Sequence, residues 1–311
     1  MPTMKAVRLH GYGGPEVLRY EECPRPEPGA GEVLVRVHAA GVNPVDWKIR
    51  AGYLKGYLDY ALPVILGWDF SGVVESVGPG VVGWKAGDEV YSRPDISRDG
   101  AYAEYIVVRA PEIALKPKSL DHVHAAAIPL AGLTAWQALE AGGLTAGQKV
   151  LIHAAAGGVG SFAVQFAKLK GARVAGTASG RNQAFLKELG VDEPINYETT
   201  RFEDVVKDAD MVLDALAGEV RTRSWKTLKK GGILVSILGP APEEEAKAHG
   251  ARQTGVMVQG NGAQLAEIAK LVDAGKVKVI LDAVLPLAEA AKAQEMNATG
   301  HTRGKIVLRV I

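Results

Sequence analysis

His153-Ala154-Ala155-Ala156-Gly157-Gly158-Val159-Gly160-Ser161 is the stretch that decides the fold. It follows an apolar run, Val150-Leu151-Ile152, of the length of a buried strand, and precedes a helix-like run beginning near Phe162. Within it, Ala155 to Gly160 read A-x-G-x-x-G, a dinucleotide-binding pattern with Ala at the first small position. Small residues are needed here for three reasons. The chain must reverse sharply, a pyrophosphate must approach backbone N–H groups, and the helix must lie close on the strand. The first helical turn then adds unpaired donors and the positive end of its dipole. The loop predicts a dinucleotide held by Ala155, Ala156, Gly157, Gly158, Val159 and Gly160.

Downstream of this loop, helices and buried strands alternate. Strand Arg173 to Thr177 precedes helix Asn182 to Leu189, and strand Met211 to Leu216 leads to a helix near Glu219 to Leu228. Ile233 to Leu238 and Gly255 to Val258 read as further strands, then a helix from Ala263 to Ala274 and a final strand, Val277 to Leu281. Repeated β-α-β order predicts an α/β fold with a doubly wound parallel sheet over residues 121–285. Upstream, short strands broken by Gly and Pro (Met4 to Leu9, Val33 to His38, Phe70 to Val77, Glu89 to Ser92, Tyr102 to Val108) predict a mainly antiparallel domain over 1–120. A tail helix, Leu287 to Asn297, and strand Lys305 to Val310 break the rhythm, so 286–311 is expected to rejoin that first domain. The two domains are expected to face a common cleft.

Bulk properties narrow the partners. In 311 residues, 36 basic side chains balance 35 acidic ones, with no charged block to draw nucleic acid or a membrane surface. No run reaches transmembrane length and the N-terminus lacks a signal-peptide pattern. The one cysteine, Cys23, rules out an intrachain disulfide and a Cys-rich zinc site, and fits a cytoplasmic setting.

The end of the second parallel strand speaks to which dinucleotide binds. An acidic residue there would accept the ribose hydroxyls of NAD, but the chain reads Gly176-Thr177-Ala178-Ser179-Gly180-Arg181. Ser179 can donate to a 2′-phosphate and Arg181 can pair with it, which favours NADPH. Alternatively, Ser179 or Asn182 caps the next helix and Arg181 is a solvated charge. Tyr197, after the third strand, is either a neighbour of this phosphate or a structural tyrosine. Leu238 and Gly239, at the end of a later strand, occupy the usual crevice position for ribose or nicotinamide.

Six blocks carry a family resemblance: AAGVNPVDWKIRAG at 39–52, LGWDFSGVVESVGPGV at 66–81, GDEV at 87–90, AGLTAWQAL at 131–139, AAGGVG at 155–160 and GHTRGKIVL at 300–308. In order and spacing the chain resembles the medium-chain dehydrogenase/reductases, specifically their zinc-independent quinone oxidoreductase and enone reductase branch. The resemblance implies a GroES-like substrate domain beside a Rossmann domain, and a homodimer. Where zinc-dependent relatives place their catalytic ligands, this chain has Asn43, Trp68 and Leu130, a set that cannot hold tetrahedral Zn²⁺. His122 and His124, two apart on a helix, do not replace them.

Metal-free hydride transfer suits an acceptor that is already electrophilic, a quinone or an α,β-unsaturated carbonyl. Asn43 is the first catalytic candidate, its family counterpart lying near nicotinamide and substrate; Asn43-Pro44 is equally a helix N-cap followed by Pro. Lys48 is similar to a family lysine that reaches the nicotinamide ribose, and Thr134 to a threonine at the nicotinamide end. Tyr53, with Tyr57 on the same Gly-rich loop, can offer a proton or a hydrogen bond. Arg303, with Lys305, approaches the cofactor from the tail in this reading. Trp47, Trp68 and Trp136 are either pocket walls or core. The competing readings are an alcohol or ketone dehydrogenase, and a non-catalytic NADPH-binding sensor or structural protein.

Overall fold

The alternating apolar residues of the N-terminal region are buried by antiparallel pairing, whereas the continuous apolar runs of the middle lie in a parallel sheet. The structure, a computed structural model, describes residues 2–311. In chain order the first part contains β1 (Thr3–Leu9), β2 (Leu18–Pro24), β3 (Glu32–Val42), α1 (Pro44–Arg50), β4 (Val64–Ile65), β5 (Phe70–Val77), β6 (Glu89–Ser92), β7 (Tyr105–Arg109), β8 (Ile113–Leu115) and α2 (His122–Ala125). The middle runs α3 (Pro129–Ala141), β9 (Lys149–Ile152), α4 (Gly158–Leu169), β10 (Arg173–Ala178), α5 (Gln183–Glu188), β11 (Glu193–Asn196), α6 (Phe202–Val205), β12 (Ala209–Asp214), α7 (Gly218–Ser224), β13 (Leu228–Ser236), α8 (Glu243–Ala248) and β14 (Arg252–Gly255). The chain ends with α9 (Gly262–Asp273), β15 (Leu281–Pro286), α10 (Ala290–Ala298) and β16 (Lys305–Arg309). It forms two compact units: residues up to Leu130 together with Gln259–Ile311, and Ala131–Val258.

In the first unit the strands run in the order β15-β16-β3-β5-β6-β8, with β7 also on β3, beside a small sheet β2-β1-β4. Val33, Val35, Val37, Trp68, Phe70, Tyr102, Ile106 and Ile306 form its core, with Cys23 also buried there. Gly41, near the end of β3, is required by space. A Cβ there would sit 2.6 Å from the Ala126 carbonyl oxygen and 2.7 Å from Asp69 Oδ2. Two residues on, Asn43 caps α1, Pro44 fills the first helical position, and Asp46 accepts the Asn43 backbone N–H at 2.8 Å.

In the second unit all six strands are parallel, in the order β11-β10-β9-β12-β13-β14. The chain winds outward from β9 on one side and from β12 on the other, so the switch point lies between these two strands. Helix α4 is buried from Gly160 to Ala167, and Trp136 packs edge-on against Phe166 at 5.3 Å. No helix among the described residues is long and apolar enough to cross a membrane.

Several local expectations are corrected. Val277 to Leu281 is not the last strand of the parallel sheet; the strand is Leu281–Pro286, and it pairs with β16 in the first unit. The apolar run before it passes over the Gly304 turn, where Ile280 O accepts the Lys305 N–H at 2.9 Å. The strand expected at Gly255 to Val258 lies three residues earlier, at Arg252–Gly255, aligned on β13. Leu18–Pro24 is a strand that its polar, exposed alternation conceals. Residues 121–130 and 259–285, expected with the parallel sheet, group with the first unit, where α2 packs on β3 and β5 and α9 on β8.

Candidate functional site

The glycine-rich loop has the construction its sequence suggests. Ala154 adopts φ +49°, an uncommon conformation for a residue with a side chain, and starts the reversal out of β9. A Cβ on Gly160 would lie 2.2 Å from Ala154 O and 2.7 Å from Ala155 Cα, so only glycine lets α4 approach the loop this closely. Gly157 caps α4 without offering a side-chain acceptor, which leaves the first-turn N–H groups to a ligand. These features fit a pyrophosphate. Ala155, Ala156 and Gly160 are buried, while Gly157, Gly158 and Val159 are partly open to solvent.

His153 secures the loop from beneath. Ser224 donates its hydroxyl to Val220 O, so its oxygen accepts from His153 Nε2 at 2.8 Å. His153 Nδ1 then accepts from Thr177 at 3.1 Å, which assigns the tautomer. Burial holds its pKa down at about 4, keeping the ring neutral.

Beside β9, the end of β10 presents Ser179, half-buried, and Arg181, exposed. Ser179 Oγ accepts from Asn182 at 3.1 Å and makes no helix cap of its own. Tyr197 is 51% exposed, tied to β10 through its N–H to Ala178 O at 3.2 Å. Glu198, which the sequence reading passes over, brings a carboxylate to this corner: Gly180 N–H donates to its Oε2 at 2.7 Å. On the far side of the switch point, Asp214 is fully buried and binds Arg221 Nε at 2.6 Å. Arg221 continues to Ser236 Oγ at 2.7 Å and Gly239 O at 3.1 Å, fixing the turn that carries Leu238 and Gly239. Asp214 is marked in the sequence only by its place at the end of β12, and Arg221, on α7, by nothing comparable.

The first unit holds a different kind of site. Lys305, 4% exposed, donates to Val42 O at 3.0 Å, Asp69 Oδ2 at 3.0 Å and Asn43 Oδ1. All three ammonium hydrogens are thereby used, so Lys305 is a structural cation here, not the cofactor contact that the sequence suggested. Asn43 returns an amide hydrogen to Asp69 Oδ2 at 3.2 Å; its second amide hydrogen has no acceptor among the described residues. Asp69 Oδ1 accepts the Leu130 N–H at 3.1 Å. Burial pushes the Asp69 carboxyl up, and Lys305, the Leu130 N–H and Asn43 oppose it. Beneath Asn43, Asp46 accepts from Tyr102 at 2.7 Å while its Oδ1 is unpartnered. Burial pushes Asp46 up to about 7.

Of the other candidates in this unit, Lys48 is half-buried on α1, its ammonium 5.7 Å from the Trp47 ring centroid, and burial lowers its pKa. Tyr53 is 72% exposed with its ring edge-on to Trp47 at 6.0 Å; Tyr57 is exposed as well. Arg303 lies half-buried on the turn before β16. Trp68 is core, its Nε1 donating to Arg98 O at 3.0 Å. Thr134, in the second unit, is buried within α3.

The donor set does not fit a zinc ion. Asn43 Oδ1 is bound to an ammonium, the Trp68 indole offers only a donor, and Leu130 has no ligating atom. Among the described residues no three His, Cys, Asp or Glu side chains form a group able to hold a metal.

A zinc-binding dehydrogenase family model matches residues 189–308, and an alcohol dehydrogenase GroES-like domain model matches residues 29–118. The chain is 37% identical to 2-methylene-furan-3-one reductase of Solanum lycopersicum over 322 residues, covering 99% of this chain and 79% of that protein. It is 35% identical to the mitochondrial NAD(P)H oxidoreductase RTN4IP1 of Mus musculus over 359 residues, covering 99% and 90%. Among solved structures, the quinone oxidoreductase from Coxiella burnetii superposes with a TM-score of 0.94 at 39% identity, with both chains fully covered.

Proposed function

Since the chain belongs to the medium-chain dehydrogenase/reductase family, in its zinc-independent quinone and enone oxidoreductase branch, we propose that it uses NADPH to reduce a quinone or an α,β-unsaturated carbonyl compound. It is an NAD(P)H oxidoreductase by relationship; the acceptor class and the preference for the phosphorylated cofactor are our reading. Bound NADPH supplies a hydride from nicotinamide C4. The α4 first turn and the loop Ala155 to Gly160 hold the pyrophosphate, Ser179 and Arg181 with Tyr197 take the 2′-phosphate, and Leu238 and Gly239 support the nicotinamide half. Lys48, Thr134 and Arg303 are assigned supporting contacts to the cofactor.

The observation that carries the reading is the Asn43 amide. Lys305 binds its oxygen and Asp69 one hydrogen, so the group cannot flip, and one N–H is left to donate. A fixed donor stabilises charge growing on a conjugated oxygen without reorganising during the reaction. Such a donor suffices for an acceptor activated by conjugation; an isolated ketone demands a stronger acid or a metal. Tyr53 is the proposed proton source, its phenol standing in solvent on the adjoining loop. Family membership also supports a homodimer, and the single buried cysteine suits a reducing compartment such as the cytoplasm.

The test is steady-state oxidation of NADPH and NADH against a panel of quinones, enones, enals and simple ketones. Turnover with the conjugated acceptors and little with ketones is expected. Activity confined to simple ketones overturns the reading.

A further inference from the structure

The adenosine end of the crevice contains a contradiction that points to a specificity device. The loop after β10 has no acid in its own sequence, and Ser179 and Arg181 suit a phosphate. Yet a carboxylate stands there, delivered by the next strand. β11 pairs with β10 in a register that sets Asn196 opposite Ala178. Tyr197 N–H then binds Ala178 O at 3.2 Å, and the chain turns so that Glu198 reaches back to the Gly180 N–H at 2.7 Å. The turn is stabilised by the Glu198 N–H, which donates to Asn196 Oδ1 at 3.1 Å. Gly180 has little space to spare: a Cβ there would lie 3.1 Å from both Asn196 Nδ2 and Glu198 Oε2.

Glu198 is thus bound to the backbone N–H of Gly180, the residue between Ser179 and Arg181, and follows Tyr197 in the chain. A carboxylate in that place has two effects on a dinucleotide. It repels a 2′-phosphate bound by Ser179 and Arg181, which carries close to two negative charges. It also accepts hydrogen bonds from the free ribose hydroxyls of NADH, the task that an acid at the strand end performs in NAD-binding units.

We propose that Glu198 is a specificity-determining residue that weakens NADPH and supports NADH, so that the two cofactors bind more evenly than the strand-end sequence alone predicts. The inference rests on the reading that the 2′-phosphate is taken by Ser179 and Arg181. Glu198 acts by charge at close range in a solvent-exposed corner, so removing the charge is expected to change affinity about five- to tenfold, and less at high salt.

The experiment compares wild type with Glu198→Gln and Arg181→Ala by equilibrium titration of NADPH, NADH and the fragments 2′-AMP and 5′-AMP, read by protein fluorescence or calorimetry. Glutamine keeps an oxygen for the Gly180 N–H and removes only the charge. Glu198→Gln is expected to tighten NADPH and 2′-AMP about five- to tenfold, leave NADH equal or weaker, and show a smaller gain in 0.5 M salt. Arg181→Ala is expected to weaken NADPH and 2′-AMP alone. If Glu198→Gln leaves the NADPH/NADH ratio within twofold of wild type while Arg181→Ala lowers it, the role of Glu198 is overturned and the phosphate assignment stands. If neither substitution moves the ratio, the phosphate assignment itself fails and the inference falls with it.

Discussion

The glycine-rich loop and the Asn43 cluster are built from opposite materials. Between His153 and Ser161 the working groups are backbone N–H donors, the nearest ionisable side chain is a buried neutral histidine, and α4 starts without a side-chain cap. Around Asn43, an ammonium and two carboxylates are packed into the core of the other unit, and Lys305 has every donor engaged. The difference teaches how each region can serve a ligand. The loop leaves its donors unspent. The cluster spends nearly all of its own, so that the Asn43 amide is fixed with one hydrogen left over.

Removing the cation should separate the two most sharply. Lys305→Met leaves Asp69 buried without its partner and is expected to cost about 3–5 kcal/mol of stability in denaturant unfolding. A loss below about 1 kcal/mol would mean that the cluster is not held by charge. The second contrast is pH. His153 has a folded pKa of about 4 against 6.5 when unfolded, so its environment favours the folded state above pH 6.5 and that advantage is lost as pH falls toward 4. Asp46 is opposite: raised from 3.8 to about 7, it favours the folded state below pH 3.8 and loses that advantage as pH rises through 7. The full spans are up to about 3 kcal/mol for His153 and about 4 kcal/mol for Asp46. Urea midpoints between pH 4.5 and 7.5 should fall more steeply with rising pH in His153→Asn and rise more steeply in Asp46→Asn; parallel curves for all three proteins would refute both assignments. The smallest stability effect belongs to the loop. Gly160→Ala forces a Cβ onto the Ala154 carbonyl and should cost about 1–3 kcal/mol in thermal unfolding while weakening NADPH at least tenfold. Gly157→Ala, with a nearest contact at 3.2 Å, should do less in both measurements.

The same contrast governs how much could be read from the chain. The loop's function is local: nine consecutive residues contain the turn, the close approach and the helix start, and the β-α-β rhythm around them gives the parallel sheet. The cluster is assembled from Asn43, Asp69 and Lys305, whose contacts span 26, 236 and 262 positions. Nothing at residue 305 announces that its ammonium ends beneath residue 43, which is why a cofactor contact is the natural but incorrect reading of that lysine. Asp46 left a trace, as an acid three residues after an Asn-Pro start. Glu198 left none, because its effect depends on the β10–β11 register and not on its neighbours. The displaced strand at Val277 to Leu281 shares this cause: an apolar run reveals burial, while its partner is chosen by tertiary space at Gly304.

The division of the chain also sets an order of assembly. Ala131–Val258 is continuous, so during synthesis its sheet can close as soon as those residues leave the ribosome. The other unit is begun first and finished last. β3 must wait for β16, made more than 250 residues later, and until then one apolar strand edge is unpaired and the acid Asp69 lacks its cation. A nascent chain therefore exposes its first unit as an incomplete sheet through most of translation. In this fold the vulnerable interval for aggregation and chaperone capture belongs to the unit that carries Asn43, and ends only when Lys305 arrives.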